Sequence, residues 1–374
     1  MNCDSEKTSN RLFSLDVLRG LDMLLLTVVG PVVLAVQAGW NCFPEGFMRQ
    51  FGHGWECFTL WDIIMPLFIF MCGAAMPLAL EKRLSRGRGV FWGHVLSRVA
   101  LLWFLGCLVQ GRLITLDPLR MSPYSNTLQS IAFGYLVVAT VMSLGSRVMM
   151  LAVPIALTVG YTLLLAVGGD YTQYGNLAFR IDHAILGWLL PAENEFVKTP
   201  SYYTWFLTSA MFAAMTFVGY HATQILRLDR PARQRAALLG GCGIGLLAVG
   251  CASESWIPCI KPIYTLSFTA QAMGWCVLLL DVLYVLTDVL QIRRGLAPAV
   301  FFGRLALCAY FVSHFFRTVL ASLAHLLGDG LVTLLPKSAA PLVICLLTVA
   351  SMVFVMFMWR CFKLSMGTKS GRRE

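Results

Sequence analysis

The sequence is poor in charge, because Asp, Glu, Lys and Arg make up only 13% of its 374 residues while hydrophobic residues make up 58%. A water-soluble domain carries about a quarter charged residues, so this composition excludes an ordinary soluble protein. The net charge of +10 taken alone is also typical of proteins that bind nucleic acid. Here the basic residues stand in short clusters between apolar runs, which indicates loops of a membrane protein and no nucleic-acid partner.

Sequence signatures of metal and hydrolase chemistry are also lacking. None of the 12 cysteines forms a CxxC pair, and most of them stand inside apolar runs as small hydrophobic residues. No HExxH, P-loop, GxSxG or kinase signature occurs. We therefore predict no metal. Cys42 and Cys57 share one predicted loop and could form a disulfide if that loop faces an oxidising compartment.

Long apolar runs dominate the sequence, and ten of them are long enough to cross the hydrocarbon core as helices. We predict an all-α polytopic membrane protein that forms a single domain over 1–374. The polar start, MNCDSEKTSNR, predicts that there is no cleavable signal peptide. The predicted spans lie near 18–38, 59–80, 92–111, 126–145, 148–168, 203–225, 236–252, 264–288, 298–322 and 340–361.

The distribution of Lys and Arg predicts that both termini are cytoplasmic. Most of the 29 basic residues fall on the side of the terminal tails, 1–13 and 363–374, when the spans are followed in order. The long loops 39–58 and 169–202 then face the other side. The second loop is rich in aromatic and acidic residues. Two interpretations are open: the loop covers a polar, carbohydrate-like ligand, or it forms an aromatic belt and a solvated loop.

Ionisable residues inside the predicted spans are candidates for function, because they are costly to bury in lipid. In SLDVLRGLDM, Asp16, Arg19 and Asp22 recur at i, i+3 and therefore share one helix face, where they can pair. Two interpretations remain open. One is a structural ion cluster at the interface, and the other is a basic site for a phosphorylated cofactor.

The most informative stretch runs from His53 to Pro66. Asp62 and Pro66 lie at i, i+4 on the second predicted span, and His53 precedes them in a loop that could fold back onto the membrane. A carboxylate that accepts one imidazole N–H fixes the tautomer and makes the other nitrogen more basic. Pro66 would free a backbone carbonyl near Asp62 and kink the helix.

Two later spans carry further candidates. His314 lies among aromatic residues in the ninth span, where it could hydrogen-bond a neighbouring helix. Asp281, in the eighth span, is predicted to be buried and to need a partner such as Arg98 or Arg304. These residues fit an enzyme that delivers a group across the membrane. They fit equally a transporter that uses His and Asp as proton relays.

Six sequence blocks, in order across nearly the whole chain, resemble one known family. The blocks are SLDVLRGLDM, HGWECFTLWDIIMPLFIFMCGAAMP, NTLQSIAFGYLVVA, YYTWFLTSAMFAAMTFVGY, IKPIYTLSF and FFGRLALCAYFVSH. They are similar to the bacterial relatives of heparan-α-glucosaminide N-acetyltransferase, within the transmembrane acyltransferases. The chain departs from the family's pattern at Gly30, Ser130 and Leu305.

The resemblance implies a multi-pass protein of the bacterial inner membrane that moves acetyl from cytoplasmic acetyl-CoA to an amino sugar or other saccharide. The acceptor would be a small molecule or an oligosaccharide, and the family suggests a homodimer in membrane lipid. Catalytic roles are implied for His53, Asp62 and His314. The residues expected to bind the cofactor are Arg19, Arg98, Arg304, Gln129, Lys261 and Ser267. The alternative is a proton-coupled sugar or amino-sugar transporter.

Overall fold

A computed structural model describes residues 12–110 and 118–370, with side chains as far as Phe362. The predicted tails, 1–13 and 363–374, lie largely outside these residues. The described chain is helical, and its one β pairing is an isolated antiparallel bridge between Glu56 and Ile260. The all-α prediction is thus confirmed.

Sixteen α-helices occur in the described residues. In chain order they are α1 (Phe13–Leu24), α2 (Gly30–Trp40), α3 (Glu45–Met48), α4 (Ile64–Leu84), α5 (Arg88–Val109), α6 (Thr127–Leu144), α7 (Arg147–Gly168), α8 (Leu177–Leu189), α9 (Glu195–Lys198), α10 (Ser209–Leu226), α11 (Ala232–Ser253), α12 (Leu266–Tyr284), α13 (Ala297–Arg304), α14 (Ala306–Phe315), α15 (Arg317–Leu334) and α16 (Ala340–Ser370). Turns of π-helix, Leu25–Val29 and Val285–Val289, extend α1 and α12.

Eight helical segments in the described residues are long and apolar enough to cross a membrane, and a bent pair makes a ninth. The protein is therefore a multi-pass membrane protein, with fewer such segments than the ten predicted. The predicted span 203–225 is the shorter helix α10, which is almost wholly buried. The predicted span 298–322 is broken, because α13 and α14 meet at 75° around Leu305. The nearest breaker residue is Gly303, two residues before Leu305, and a single glycine is tolerated inside a helix.

The chain divides into two compact units. The first takes the described residues up to Leu18 together with Gly52–Arg293, and the second takes Arg19–Phe51 together with the described residues from Arg294 onward. In the second unit, α16 packs on α2 and α15. A side chain at Gly20 would collide with the carbonyl of Ala299 there, so α1 and α13 are in close contact.

The first unit is built around α4, which packs on α6, α10 and α12. Gly73 of α4 lies against the backbone carbonyl of Thr216, and Gly219 of α10 lies against that of Phe70. Small residues allow helix backbones to approach this closely in membrane proteins. The reciprocal contact fixes α4, and with it the residues at its N-terminal end.

Candidate active site

Asp62 lies one turn before α4 and is held by its own local sequence. Thr59 caps the 3₁₀ turn Leu60–Ile63, and its backbone N–H and hydroxyl donate to Asp62 Oδ2 at 3.0 and 2.8 Å. This is a capping box, in which residue N3 reaches back to the N-cap. This role of Thr59 was not predicted from the sequence, although the Thr-x-x-Asp spacing is a signal for it.

His53 approaches the other oxygen of the same carboxylate. Its Nδ1 lies 2.6 Å from Asp62 Oδ1, and the side chain is 37% exposed whereas that of Asp62 is 1% exposed. The Thr59 hydroxyl also lies 3.0 Å from the carbonyl oxygen of Gly52, which ties the backbone before His53 to the same cap. The structure therefore contains the His–Asp pair that the sequence suggested.

Lys261 completes the group from a distant part of the chain. Its Nζ lies 3.1 Å from Asp62 Oδ1 and 3.5 Å from His53 Nδ1, and its side chain is 7% exposed. Burial lowers the pKa of Lys261, while the charge of Asp62 opposes that shift. From the sequence, Lys261 was expected to bind the cofactor, and its pairing with Asp62 was not predicted.

The three side chains form a compact electrostatic unit. Asp62 accepts from four donors, two on Thr59 and one each on His53 and Lys261. The ammonium and the carboxylate offset each other, so the group is neutral when the imidazole is neutral. With Nδ1–H donated to Asp62, the Nε2 lone pair of a partly exposed ring is available to a reacting group.

Pro66 falls in the first turn of α4, directly after the 3₁₀ turn Leu60–Ile63. Proline is tolerated in a first turn, because its missing N–H is one of those that commonly lack an intrahelical acceptor. The kink that the sequence suggested beside Asp62 remains a prediction.

Two predicted cofactor residues are buried in internal hydrogen bonds. The Gln129 amide donates to the carbonyl of Pro123 at 2.9 Å and accepts from the backbone of Ser125 at 2.9 Å. The Ser267 hydroxyl donates to the carbonyl of Pro258 at 2.9 Å. These contacts order the loops around them. The cofactor-binding roles of both residues remain predictions.

The three predicted arginines lie in different surroundings. Arg98 of α5 stacks over the ring of Tyr135 at 4.9 Å, in the first unit. Arg19 and Arg304 belong to the second unit, where Arg304 ends α13 and is exposed. Their roles toward a cofactor also remain predictions.

His314 lies in the second unit and contacts its own helix. Its Nδ1 lies 3.0 Å from the carbonyl oxygen of Tyr310, and the two rings stack at 4.3 Å. The expectation that it hydrogen-bonds a neighbouring helix is replaced by this contact within α14. Its catalytic role remains a prediction.

One expectation about another side chain was wrong. Asp281 is half-buried rather than buried, and its Oδ1 has no hydrogen-bond partner in the described residues. Cys42 and Cys57 are both free thiols in the structure, and a disulfide between them in an oxidising compartment remains a prediction.

Comparison with known proteins places this geometry in context. Residues 11–167 match a family described as "Domain of unknown function (DUF5009)". Heparan-alpha-glucosaminide N-acetyltransferase of Homo sapiens is 24% identical over 349 residues, which is 76% of this chain and 50% of the human protein. The chain is a distant homologue of this acetyltransferase.

The mouse relative gives the same result. Heparan-alpha-glucosaminide N-acetyltransferase of Mus musculus is 23% identical over 353 residues, covering 77% of this chain and 51% of the mouse protein. The chain thus spans about half the length of the curated relatives it matches. In this structure a buried carboxylate orients a partly exposed histidine, and that arrangement suits general-base or nucleophilic chemistry.

Proposed function

We propose that this protein is a membrane acetyltransferase that moves acetyl from cytoplasmic acetyl-CoA to an amino sugar or other saccharide on the far side of a bacterial inner membrane. The contact of 2.6 Å between His53 Nδ1 and Asp62 Oδ1 carries the proposal. The homology to two N-acetyltransferases supports it. N-in, C-in orientation belongs to the same proposal and rests on the distribution of basic residues.

The length of α4 suggests how donor and acceptor would be arranged. Its 21 residues span about 30 Å at a rise of about 1.5 Å per residue, which is the thickness of the hydrocarbon core. Asp62 precedes one end, and Arg83 lies in the last turn at the other. Arg83 and Arg98 both lie close enough to Tyr135 to act on it electrostatically. This cationic end suits the phosphates of acetyl-CoA.

His53 would do the chemistry at the opposite end of α4. Acetyl-CoA supplies the activated acyl group as a thioester. Nε2 of His53 then takes a proton from the acceptor amine or hydroxyl as it attacks, and returns that proton to the departing thiolate. Alternatively, Nε2 attacks the acyl carbon and the C–S bond breaks, which releases CoA as a thiolate. The acceptor amine or hydroxyl then attacks the acetyl group, the bond to Nε2 breaks, and the acceptor's proton passes to the thiolate. In both routes Asp62 accepts the hydrogen bond from Nδ1–H of His53, and the ammonium of Lys261 compensates the negative charge of Asp62.

The first test is ligand binding by the full chain in detergent. A ligand at about 1,000 times its Kd stabilises by about 4 kcal/mol, so acetyl-CoA should raise the melting temperature clearly, beside free CoA as a control. No shift with either ligand, in protein that melts cooperatively, would overturn the acyltransferase proposal.

The second test separates chemistry from binding. We expect His53→Ala to lower the transfer rate by about 10²- to 10⁴-fold while leaving the shift caused by acetyl-CoA intact. The matched control is His325→Ala, because His325 forms an exposed pair with Asp329 at 3.3 Å. A His53→Ala protein with wild-type turnover would remove His53 from the mechanism.

One observation favours a second candidate, a proton-coupled sugar or amino-sugar transporter. The helix pair α13 and α14 is bent by 75°, and broken spans line substrate sites in many transporters. A transporter would show sugar uptake into proteoliposomes with no requirement for CoA. Uptake without CoA binding would place this candidate first.

A further inference from the structure

A cavity of about 150 Å³ lies beside α8 in the first unit. An engineered protein cavity of about this size binds benzene, so it has room for one six-membered ring. Its walls combine aromatic rings with serine hydroxyls. They are Ser122, Tyr124, Ser125, Phe179, Asp182, His183, Leu186, Phe196, Pro200, Ser201, Tyr203 and Trp205.

Some polar groups of this cavity already have hydrogen-bond partners within the protein, and at least one does not. The Asp182 carboxylate accepts from the backbone N–H groups of Trp205 and Phe206, which closes that wall. By contrast, His183 Nδ1 is buried and has no hydrogen-bond partner in the described residues. Its ring is fixed by stacking on Phe179 at 5.8 Å. A buried nitrogen without a partner is unusual and suits a ligand that supplies one.

A chain of aromatic contacts connects the cavity to the His53 segment. Trp55, two residues after His53, meets the ring of Tyr202 edge-on at 5.9 Å. Tyr202 contacts Tyr203 at 5.2 Å, and Tyr203 lines the cavity. The indole N–H of Trp55 also donates to the carbonyl of Tyr171 at 3.0 Å, which holds the start of this chain in place.

From these contacts we propose that the cavity binds a pyranose ring of a saccharide. Aromatic faces cover the apolar C–H surfaces of such a ring, while the serines and His183 meet its hydroxyls. The assignment of this ring to the acceptor rests on the proposed acetyltransferase function. The proposal that the cavity binds a pyranose ring does not depend on that function.

The test measures binding by the full chain in a detergent without a sugar headgroup. The probe is methyl β-D-glucopyranoside, which has no amine and therefore reports binding alone. We expect it to raise the melting temperature saturably, and we expect no such effect from the open-chain polyol sorbitol or from the flat aromatic indole. A response to indole or sorbitol but not to the glucopyranoside would overturn the proposal, as would no saturable response in cooperatively melting protein.

A cavity-filling variant assigns the site. Ser201 is exposed and lines the cavity, so Ser201→Trp should abolish the response to the glucopyranoside. Ser255→Trp is the control, because Ser255 is an exposed loop serine outside the cavity lining. Unchanged binding in Ser201→Trp would overturn the assignment. Acetyl-CoA is tested separately on the same proteins, so sugar binding without acetyl-CoA binding would reject the acetyltransferase and retain the cavity site.

A second inference concerns Cys57 and Cys259. The antiparallel bridge joins Glu56 to Ile260, so the next residues along, Cys57 and Cys259, face each other across the two segments. Facing residues have Cβ atoms about 4.5–5.5 Å apart, and a disulfide needs about 3.5–4.5 Å. Both thiols are free, with Cys57 half-buried and Cys259 buried. A small closure would therefore join them.

The geometry points to a disulfide between Cys57 and Cys259, formed by exchange with a disulfide oxidant. Cys57 thiolate attacks the oxidant and releases one thiol, and Cys259 thiolate then attacks the mixed disulfide and releases the second. Burial raises the pKa of the Cys259 thiol to about 12, which makes the second step slow near neutral pH. The bond would tie the segment of His53 to the loop of Lys261.

Peptide mass mapping after incubation with oxidised glutathione tests this pairing. We expect one cross-linked peptide pair that contains Cys57 and Cys259 and a loss of two hydrogens. Cys57→Ser should abolish it, whereas Cys251→Ser, which removes an exposed cysteine, should not. A cross-link to another cysteine, or no cross-link after prolonged incubation at mildly alkaline pH, would overturn the proposal.

Discussion

Asp62 and Asp22 are both buried carboxylates in predicted spans, but they differ in their hydrogen-bond and ion-pair partners. Asp62 is 1% exposed and accepts from four donors. Asp22 is 2% exposed, and neither of its oxygens has a hydrogen-bond partner in the described residues. Within the part of the chain that the structure describes, the pairing that the i, i+3 spacing suggested for Asp22 is therefore absent. Burial alone does not make a site, because the partners decide whether a charge can be used.

The largest effect on stability should come from Lys261→Met. Removing one partner leaves Asp62 buried with an uncompensated charge, which costs about 3–5 kcal/mol. The melting temperature in detergent measures the loss. The control is Arg227→Met, because the Arg227–Glu81 pair at 2.6 Å is partly exposed and should be worth no more than about 1 kcal/mol. Equal losses in both variants would remove the distinction between buried and exposed pairs.

Asp182 extends the comparison to a carboxylate that is held by backbone N–H groups and has no cationic partner among the described residues. Burial raises its pKa to about 6, against the opposing effect of those N–H groups. Because the folded state then holds the proton more tightly than the unfolded state, stability should fall as the pH rises from about 4 to about 6, by at most about 3 kcal/mol, and stay level above that. Melting curves against pH measure this. A slope that persists in Asp182→Asn would show that another group is responsible.

Thr59→Val removes one donor from Asp62 and keeps the shape of the side chain. The loss of the N-cap hydroxyl should cost about 1–2 kcal/mol, measured by thermal unfolding. Thr158→Val is the matched control, because the Thr158 hydroxyl bonds only to Pro154 of its own helix in the contacts observed. If the two variants have the same melting temperature, the capping box does not stabilise the site.

The smallest effect should come from Asp22→Asn. An unpartnered carboxylate gains nothing from its charge when buried, so the amide should leave the melting temperature unchanged or raise it. Asp62→Asn should lower it, because the amide cannot accept from all four donors. Comparable losses in the two variants would show that Asp22 has a partner outside the described residues.

Part of this site could be predicted from local sequence. His53 and Asp62 are nine residues apart, and the Thr59-x-x-Asp62 spacing sets the cap that aims the carboxylate. Lys261 is different, because it reaches Asp62 only through the loop that follows α11. No spacing rule connects residues about 200 positions apart, and the sequence therefore suggested a different role for it. The bend at Leu305 was missed because the nearest breaker residue, Gly303, is a single glycine in a long apolar run, and one glycine is tolerated inside a helix.

By itself, the sequence determined that this is an all-α membrane protein and that a histidine precedes an acidic helix start. Apolar length and local capping are properties of neighbouring residues, so they can be read from the chain. Only the tertiary structure decided which buried carboxylate acquires partners and that Cys57 faces Cys259. It also decided that aromatic residues of separate segments enclose a ring-sized cavity. The physical reason is that these contacts depend on how distant segments pack, and packing is set by the whole set of helices together.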